Sequence, residues 1–282
     1  TVPPGYCQKI IQPIINKSIK VRKLRKNSIL LAHSYERVTP GIDYLNSIIN
    51  APRVYAADNK IAEIKTKNFF DQIINSKDYP LTKLQSTTAS ETSKIIENSY
   101  RAVNIAFIQE WSEFAEKAKI NLFEIIEAIK KRKTHSNIRY PGLGVGGYCL
   151  TKDPLYGEFA SKKLFKFKGV KFPFSSMAVK INNKMPNHTI KLIKKHFGTV
   201  KNKKVILVGI AYKSDVSDTR QSPSKKIYDY LINENAKITC IDPLVSYWSE
   251  KKINVDKFKN KFNKADLIIF AVPHSQFKII SS

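Results

Sequence analysis

Apolar residues in the middle of the chain repeat with the period of a helix. They stand three and four residues apart, at Ile96, Tyr100, Val103, Phe107, Trp111 and Phe114. This spacing predicts a helix of roughly 25–30 residues with one apolar face. Thr88 and Glu91 predict a capping box at its start, and Asn121 with Glu124 predicts a second box for a shorter helix ending at Ile129.

On either side of this region, helical patterns alternate with short apolar runs typical of strands. The N-terminal patterns favour helices over 8–19 and 61–74, and strands over 28–33 and 53–57. The C-terminal patterns favour strands over 203–211, 238–243 and 266–274, and a helix over 225–234. The latter order is that of half a doubly wound sheet, so the C-terminal part is predicted to be Rossmann-like.

The central region continues as helices around one glycine-rich loop. A helix is expected after Pro154, and another is expected to break near Pro186, because proline lacks the N–H that a helix interior needs. The sequence therefore predicts an α/β fold in three parts: a partial Rossmann-like region at 1–85, a helical domain at 86–198 and a Rossmann-like domain at 199–282.

Composition narrows the possible location and partners. No run of about 18 apolar residues is present, so no membrane partner is predicted. The three cysteines, Cys7, Cys149 and Cys240, have neither a disulfide framework nor metal-ligand spacing. This cysteine usage is typical of the reducing cytoplasm, where a lone cysteine is either core filler or a nucleophile.

The formal net charge of +26 raises the possibility of a nucleic-acid partner. Only eight of the 49 basic residues are arginine, however, and the lysines are spread along the whole chain. Readers of nucleic acid favour arginine for its bidentate hydrogen bonds, and no zinc knuckle or basic zipper is present. We therefore predict no nucleic-acid partner, and interpret the lysines as a solvated surface whose field attracts anionic substrates.

The stretch GLGVGGYCLTKDP, residues 142–154, matches the dinucleotide pattern GxGxxG. A dinucleotide loop needs a strand directly before it and a helix directly after it. The residues before Gly142 are polar and end in proline, which excludes a buried strand. Two interpretations remain for the cysteine after the loop: Cys149 is either a small buried hydrophobe or a nucleophile beside close backbone N–H groups and Asp153.

Five motifs in this order resemble the UDP-glucose/GDP-mannose dehydrogenase family. They are TVPPG at 1–5, SYERVTPG at 34–41, ETSKIIENSYRAVNIAF at 91–107, VGGYCLTKDP at 145–154 and GIAYKSDVSDTRQSP at 209–223. The resemblance implies the C-terminal half of an NAD-binding domain at 1–85, a central dimerisation domain and a C-terminal domain that binds the nucleotide sugar. It also implies a homodimer, NAD as cofactor, and oxidation of a UDP-sugar C6 alcohol to a carboxylate for polysaccharide precursors.

The resemblance assigns catalytic roles residue by residue. Cys149 would form a thiohemiacetal and then a thioester. Lys94 would stabilise the oxyanion with Asn98 one turn along the helix, and Glu36 would be an acid or base in hydrolysis. Asp153 and Thr1 would position or activate water. Without the motif, Lys94 and Asn98 would be interpreted as a solvated pair, and Glu36 as a loop carboxylate paired with Arg37.

The resemblance also implies binding residues. Gly146 and Gly147 would let the nucleotide sugar approach Cys149, and Tyr148 would be an aromatic anchor beside it. Lys213 is assigned to the substrate and Arg220 to the cofactor, although two loop cations are otherwise merely solvated. Arg139 would reach a phosphate. No metal is predicted.

The chain departs from the family pattern in two respects. It has no strand, GxGxxG loop and helix at its start, so we expect a fragment that binds NAD poorly and is inactive by itself. The alternative is a basic binding or dimerisation module. Pro40 resembles the UDP-N-acetyl-hexosamine branch, whereas GGYCLTKD resembles the UDP-glucose branch, so the sequence leaves the sugar open.

Overall fold

The computed structural model describes residues 1–25, 28–41, 43–257, 262 and 264–277. The chain forms two compact units. Unit 1 comprises Thr1–Tyr100 with Lys152–Pro173, and unit 2 comprises Arg101–Thr151 with Phe174–Ser282. The α/β class predicted from the sequence is confirmed, whereas the three-part division stays a prediction.

Unit 1 opens with a π-helical turn at Cys7–Ile11 that continues into helix α1. Its other helices and strands follow in the order α1 Gln12–Val21, β1 Ala32–Ser34, α2 Tyr44–Ile49, β2 Arg53–Ala57, α3 Lys60–Ile73 and β3 Leu81–Lys83. The strands form one sheet in the order β1-β2-β3, with β1 antiparallel and β3 parallel to β2. The predicted strand over 28–33 begins only at Ala32, while the strand over 53–57 is confirmed to the residue.

Helix α4, Thr87–Ala118, is the predicted long helix, and at 32 residues it slightly exceeds the predicted length. The predicted capping box at its start is wrong. The Ser86 hydroxyl accepts from the Ala89 N–H at 3.1 Å, and the Thr88 hydroxyl donates to Gln8. Buried Glu91 instead accepts from the N–H groups of Gly5 at 2.6 Å and Cys7 at 2.8 Å, which ties the N-terminal turn to α4.

The helical part of unit 2 contains the end of α4 and a shorter helix, α5, Leu122–Lys130. The Asn121 side chain accepts from the N–H groups of Phe123 and Glu124, which confirms the Asn121 half of the predicted capping box; the described contacts include no return bond to the Glu124 side chain. After a 3₁₀ turn at Lys133–His135 and the glycine loop, helix α6 spans Tyr148–Lys152. A 3₁₀ turn at Asp153–Leu155, helix α7 at Tyr156–Phe159 and a π-helical turn at Ala160–Phe165 continue the chain in unit 1.

Helix α8, Pro173–His196, runs through Pro186 without a break, which corrects the predicted break. Proline costs a helix one backbone hydrogen bond, and tertiary contacts offset that loss here. Pro186 is itself buried, the Lys226 ammonium donates to the Asn183 carbonyl, and buried Asn182 donates to the Ala102 carbonyl at 3.0 Å.

The last part of unit 2 is a parallel sheet, as predicted. Its elements are β4 Lys204–Val208, α9 Ser224–Asn233, β5 Lys237–Ile241, β6 Tyr247–Trp248, β7 Ile253–Asn254 and β8 Leu267–Phe270. The order β5-β4-β8 is parallel throughout. β4 packs with α9 and the fully buried Trp248 into one apolar core. Within the parts of the chain that the structure describes, no helix has both the length and the apolar character needed to cross a membrane.

Candidate functional site

In unit 1, Asn98 and Asp153 form a fully buried polar pair. The Asn98 Nδ2 donates to the Asp153 Oδ2 at 2.7 Å, and both residues are 0% exposed. The Lys152 ammonium lies 2.7 Å from the other Asp153 oxygen. The Asn98 Oδ1 is buried and accepts no hydrogen bond from the described residues. An unpartnered buried acceptor is costly, so the Asn98–Asp153 pair is incompletely satisfied by the described residues.

Lys94 lies one helical turn before Asn98 on α4, as the four-residue spacing predicts. It is half-buried rather than freely solvated. Its ammonium donates to the Glu36 carbonyl at 3.0 Å and lies 5.3 Å from the centre of the Tyr35 ring. This positioning holds a cation with remaining donors at a defined place, which is what stabilisation of an oxyanion requires.

Glu36 pairs with Arg53 rather than with the Arg37 side chain. The buried Arg53 guanidinium donates to Glu36 Oε1 at 3.0 Å and Oε2 at 3.2 Å. The N–H groups of Arg37 and Val38 also donate to Glu36 Oε1. Partial burial raises the pKa of Glu36, but these hydrogen bonds together hold it below its ordinary value. The side chain is therefore a carboxylate near neutral pH.

Thr1 is exposed, and its predicted role in positioning water stays a prediction. The turn that follows it is nevertheless well fixed. Glu91 accepts from the backbone at Gly5 and Cys7, and the Phe165 ring lies so close to Gly5 that a Cβ there would come within 2.6 Å of it. Gly5 also has a φ of +83°, which favours glycine.

The glycine loop of unit 2 packs against residues 212–223. A Cβ on Gly146 would come within 2.6 Å of the Tyr212 Cβ and 2.8 Å of the Gln221 carbonyl oxygen. Gly147 has a φ of +74°, faces the Tyr212 ring and donates its N–H to the Arg220 carbonyl. The glycines therefore let the cysteine loop approach residues 212–223. Among the described residues no strand directly precedes Gly142, as the polar sequence before it predicts.

Cys149 lies in the first turn of α6 and is exposed, whereas Cys7 and Cys240 are buried. Burial raises the pKa of each of these two thiols to about 12, with the Glu91 carboxylate adding to the effect at Cys7. Both are therefore protonated and inaccessible near neutral pH. Among the three cysteines, only Cys149 is accessible to a reactant, so its predicted alternative as a buried hydrophobe is not what the structure shows.

The other predicted binding residues of unit 2 differ in their surroundings. Arg220 forms a bidentate pair with Asp218, with the closer contact at 2.6 Å, and its guanidinium lies 4.7 Å from the centre of the half-exposed Tyr148 ring. Lys213 and Arg139 have exposed side chains, and the Arg139 N–H donates to Asn104 at 3.1 Å. Their assignments to substrate and cofactor stay predictions.

Sequence reasoning missed three residues that organise these groups: Arg53, Lys152 and Tyr212. Arg53 begins a strand, and no local pattern relates it to Glu36. Lys152 stands next to Asp153, and Tyr212 lies inside the motif GIAYKSD. Their positions beside predicted site residues could therefore have identified both from the sequence.

The described turns of unit 1 do not fit the phosphates of a dinucleotide. The pyrophosphate of such a cofactor needs a glycine-rich turn between a strand and the N-terminus of a helix. The turn from β2 to α3 is Asp58–Asn59 and contains no glycine, and none of the described turns of unit 1 has the required form. The residues present therefore do not form the phosphate cradle. Among the described residues there is also no group of three side chains suited to hold a metal ion.

Comparison with known proteins identifies the same family in two parts of the chain. The model of the central domain of the UDP-glucose/GDP-mannose dehydrogenase family matches residues 88–184, and that of the family's UDP binding domain matches residues 206–282. UDP-N-acetyl-D-mannosamine dehydrogenase of Methanocaldococcus jannaschii is 32% identical, over 99% of this chain and 59% of its own. The protein of the same name from Methanococcus aeolicus is 30% identical, over 99% of this chain and 58% of its own.

The solved structure of UDP-D-ManNAc dehydrogenase from Pyrococcus horikoshii is similar in fold. It superposes with a TM-score of 0.80 at 26% identity, covering 100% of this chain and 63% of its own length. The chain thus spans about 58–59% of the length of the two curated relatives above.

Proposed function

Because the chain belongs to the UDP-glucose/GDP-mannose dehydrogenase family, we propose that it carries the sugar-binding and thiol chemistry of an NAD-dependent UDP-sugar dehydrogenase. The proposed reaction converts a C6 alcohol to a carboxylate in two oxidations. The observation that carries this proposal is the state of the cysteines: two are buried with raised pKa values, and Cys149 is exposed at the end of a glycine loop.

In the proposed reaction, the Cys149 thiolate attacks the aldehyde formed by the first oxidation. A sulfur–carbon bond forms, and the carbonyl π electrons move to oxygen, which gives a thiohemiacetal oxyanion. Lys94 is proposed to stabilise this oxyanion. Its half-buried ammonium is held by the Glu36 carbonyl, so it needs little reorganisation when charge develops. Asn98, one turn along the same helix, is proposed to act beside Lys94 in this role.

Thioester hydrolysis is proposed to involve two acidic side chains, Glu36 and Asp153. Water adds to the thioester carbon, and the sulfur–carbon bond breaks to release Cys149 and the sugar acid. The lowered pKa of Glu36 favours its role as a base over its role as an acid. Asp153 is bonded at both oxygens, so its proposed role is to orient water, with Thr1 as a further candidate.

The two oxidations require a hydride acceptor, which is proposed to be NAD⁺. The described residues do not form its phosphate cradle, so the steps argued above are those that this chain's own side chains perform. The chain is proposed to be inactive by itself because its described residues do not form this cradle, and Arg220 is proposed to act at the cofactor.

The proposed substrate is a UDP-N-acetyl-hexosamine, of which UDP-N-acetyl-D-mannosamine is the first to test. The relatives described above carry that sugar in their names, and Pro40 favours the same branch. UDP-glucose is the alternative, because the motif GGYCLTKD resembles that of the UDP-glucose branch. Arg139, Lys213, Tyr148 and the backbone at Gly146–Gly147 are proposed to contact the nucleotide sugar.

We also propose a homodimer in the cytoplasm. One face of α4 and α5 exposes aromatic side chains around an apolar groove of about 340 Å³ lined by Phe107, Trp111, Phe114, Ile120 and Ile125, among others. A second copy of the same chain is the occupant proposed for this groove.

The test of the function uses the full-length gene product and a panel of UDP-sugars, with NADH formation and sugar acid both measured. The expected result is two NADH per sugar, with UDP-N-acetyl-D-mannosamine preferred to UDP-glucose. Cys149→Ser is expected to bind the sugar by calorimetry but to release no acid, whereas Cys240→Ser keeps the stoichiometry. Acid formation by Cys149→Ser would overturn the thioester mechanism, and absence of sugar binding would favour the binding or dimerisation module.

A further inference from the structure

Residues 162–171 of unit 1 form a lysine-rich segment that none of the proposed chemistry uses. It contains Lys162, Lys163, Lys166, Lys168 and Lys171, all exposed. The sequence has no acidic residue between Glu158 and Asp215. Lys162 forms an ion pair with Glu158. The other four lysines form no ion pair with the described residues. By contrast, Lys60 and Lys67 on α3 each pair with a carboxylate on the same helix.

Two phenylalanine side chains, one within the segment and one directly after it, pack against other parts of unit 1. Phe165 lies against Gly5 under the Lys9 ammonium, which is 4.8 Å from the ring centre. Phe172 lies against Gly157, where a Cβ would come within 2.9 Å of its ring. The Phe167 N–H also donates to the Ser161 carbonyl at 2.9 Å. The segment is therefore an ordered projection rather than a loose loop.

Between these anchors, apolar side chains point into solvent beside the lysines. Phe167 is 55% exposed and Val170 is 44% exposed. Gly169, between them, has a φ of +78° and no atom within 4 Å of the position of a Cβ, so the tip is open. Isolated exposed apolar residues are ordinary on a protein surface. Here two of them alternate with unpaired cations, which is the arrangement of an element that lies in the interface of a charged bilayer.

We propose that residues 162–171 dock the protein onto an anionic lipid bilayer, with the lysines at the lipid phosphates and Phe167 and Val170 in the interface. Lysine is suited to this role because its stem reaches along apolar surface while its charge stays at the headgroups. The proposed contact is peripheral, through exposed side chains of this segment.

A nucleic acid is the less favoured anionic partner. The sequence contains no arginine between Arg139 and Arg220, so bidentate contacts to bases and phosphates are absent from this segment. One face of the Phe167 ring is covered by Phe165, with centroids 5.0 Å apart and planes at 22°. Val170 offers no surface for base stacking.

The test is co-sedimentation of the protein with vesicles of phosphatidylcholine containing phosphatidylglycerol, beside vesicles of phosphatidylcholine alone. Binding is expected only to the anionic vesicles, and it is expected to weaken as salt is added. The double variant K168Q/K171Q should lower the partition coefficient about tenfold or more, since each lysine near the surface adds to binding. The matched control K65Q/K77Q removes the same charge from exposed positions of unit 1 and should bind like the wild type.

A second variant separates insertion from charge. Phe167→Ser should weaken vesicle binding without changing its salt dependence, whereas K168Q/K171Q should reduce that dependence. Urea unfolding checks that the variants remain folded. Equal binding to neutral vesicles, an equal loss in K65Q/K77Q, or no binding to either vesicle would overturn the proposal.

A single-stranded RNA provides the competing outcome. Loss of RNA affinity in K168Q/K171Q with unchanged vesicle binding would assign the segment to nucleic acid and overturn the lipid proposal. NADH formation by K168Q/K171Q in vesicle-free solution should match the wild type, so failure of the docking proposal is distinguishable from failure of the proposed reaction.

Discussion

The Asn98 amide donates to the Asp153 carboxylate at 2.7 Å, although 55 residues separate the two in the sequence. The contact is fully buried and joins the long helix α4 to the turn that follows α6. It fixes the orientation of the Asn98 amide, because the carboxylate accepts only from the nitrogen end. The Asn98 oxygen is then directed elsewhere and is left without a partner among the described residues.

Asn98→Ala is expected to destabilise the protein by about 2 kcal/mol, because it leaves a buried Asp153 oxygen without its donor. Urea unfolding measures this change. Asn187→Ala, at an exposed position of the helix α8, is the control and should change stability by less than about 0.5 kcal/mol. Equal stability of the two variants would contradict the structural role given to the Asn98–Asp153 bond.

The glycine loop offers a matched pair of substitutions. Gly146→Ala is expected to destabilise the protein by about 1–3 kcal/mol, because the added Cβ would meet the Tyr212 Cβ and a backbone oxygen. Gly142→Ala has no atom within 4 Å of its added Cβ and should be neutral or slightly stabilising. Thermal unfolding of both variants checks this difference. A neutral Gly146→Ala would mean that the loop does not pack against Tyr212.

The buried Asp242 is expected to make stability depend on pH. Its carboxylate accepts from the N–H groups of Ile210 and Leu244, and His274 Nε2 lies 3.2 Å away. The Asp215 N–H donates to His274 Nδ1, so the proton of a neutral His274 is on Nε2. Burial raises the pKa of Asp242, but these partners hold it below its ordinary value of 3.8.

Because the folded pKa is lowered, Asp242 stabilises the protein above its ordinary pKa, and this contribution is lost as the pH falls through the folded value. Asp242→Asn is expected to cost about 1–3 kcal/mol near pH 7, because the amide nitrogen cannot accept from the N–H groups that bond to one of the carboxylate oxygens. The difference from wild type should begin to narrow below about pH 4, where the unfolded chain starts to bind the proton, and should go on narrowing as the pH falls through the lowered pKa of the folded state. Unfolding free energies across this range measure the effect, and a constant difference would show that Asp242 does not titrate as argued.

If the proposed homodimer forms through the apolar groove of α4 and α5, a charge placed in that groove should dissociate it. Trp111 is 48% exposed and packs edge-on against Phe114, with ring centroids 5.7 Å apart. Trp111→Asp should convert a dimer to a monomer, because a charge in an apolar interface is costly. Sedimentation velocity measures the change. Phe69→Asp, at an exposed aromatic of α3, is the control and should leave the dimer intact. A wild-type monomer would remove this part of the proposal.

The sequence by itself determined those features whose signal is local. The strand at Arg53–Ala57, the long amphipathic helix α4, the Asn121 cap and the parallel C-terminal sheet follow from periodicity and from side chains within a few residues of each other. The same kind of local signal led to wrong predictions at Thr88 and Pro186, because tertiary contacts outweigh the local preference at both positions. Glu91 turns to the N-terminal segment, and buried contacts support the helix across Pro186.

Only the tertiary structure decided which polar groups are paired. The bonds from Arg53 to Glu36 and from Asn98 to Asp153 join residues 17 and 55 positions apart, and periodicity carries no information at such separations. The distinction between accessible Cys149 and buried Cys7 and Cys240 likewise depends on packing. The physical reason is that local sequence sets backbone propensity, whereas burial, and with it the pKa and partner of each ionisable group, is a property of the whole folded unit.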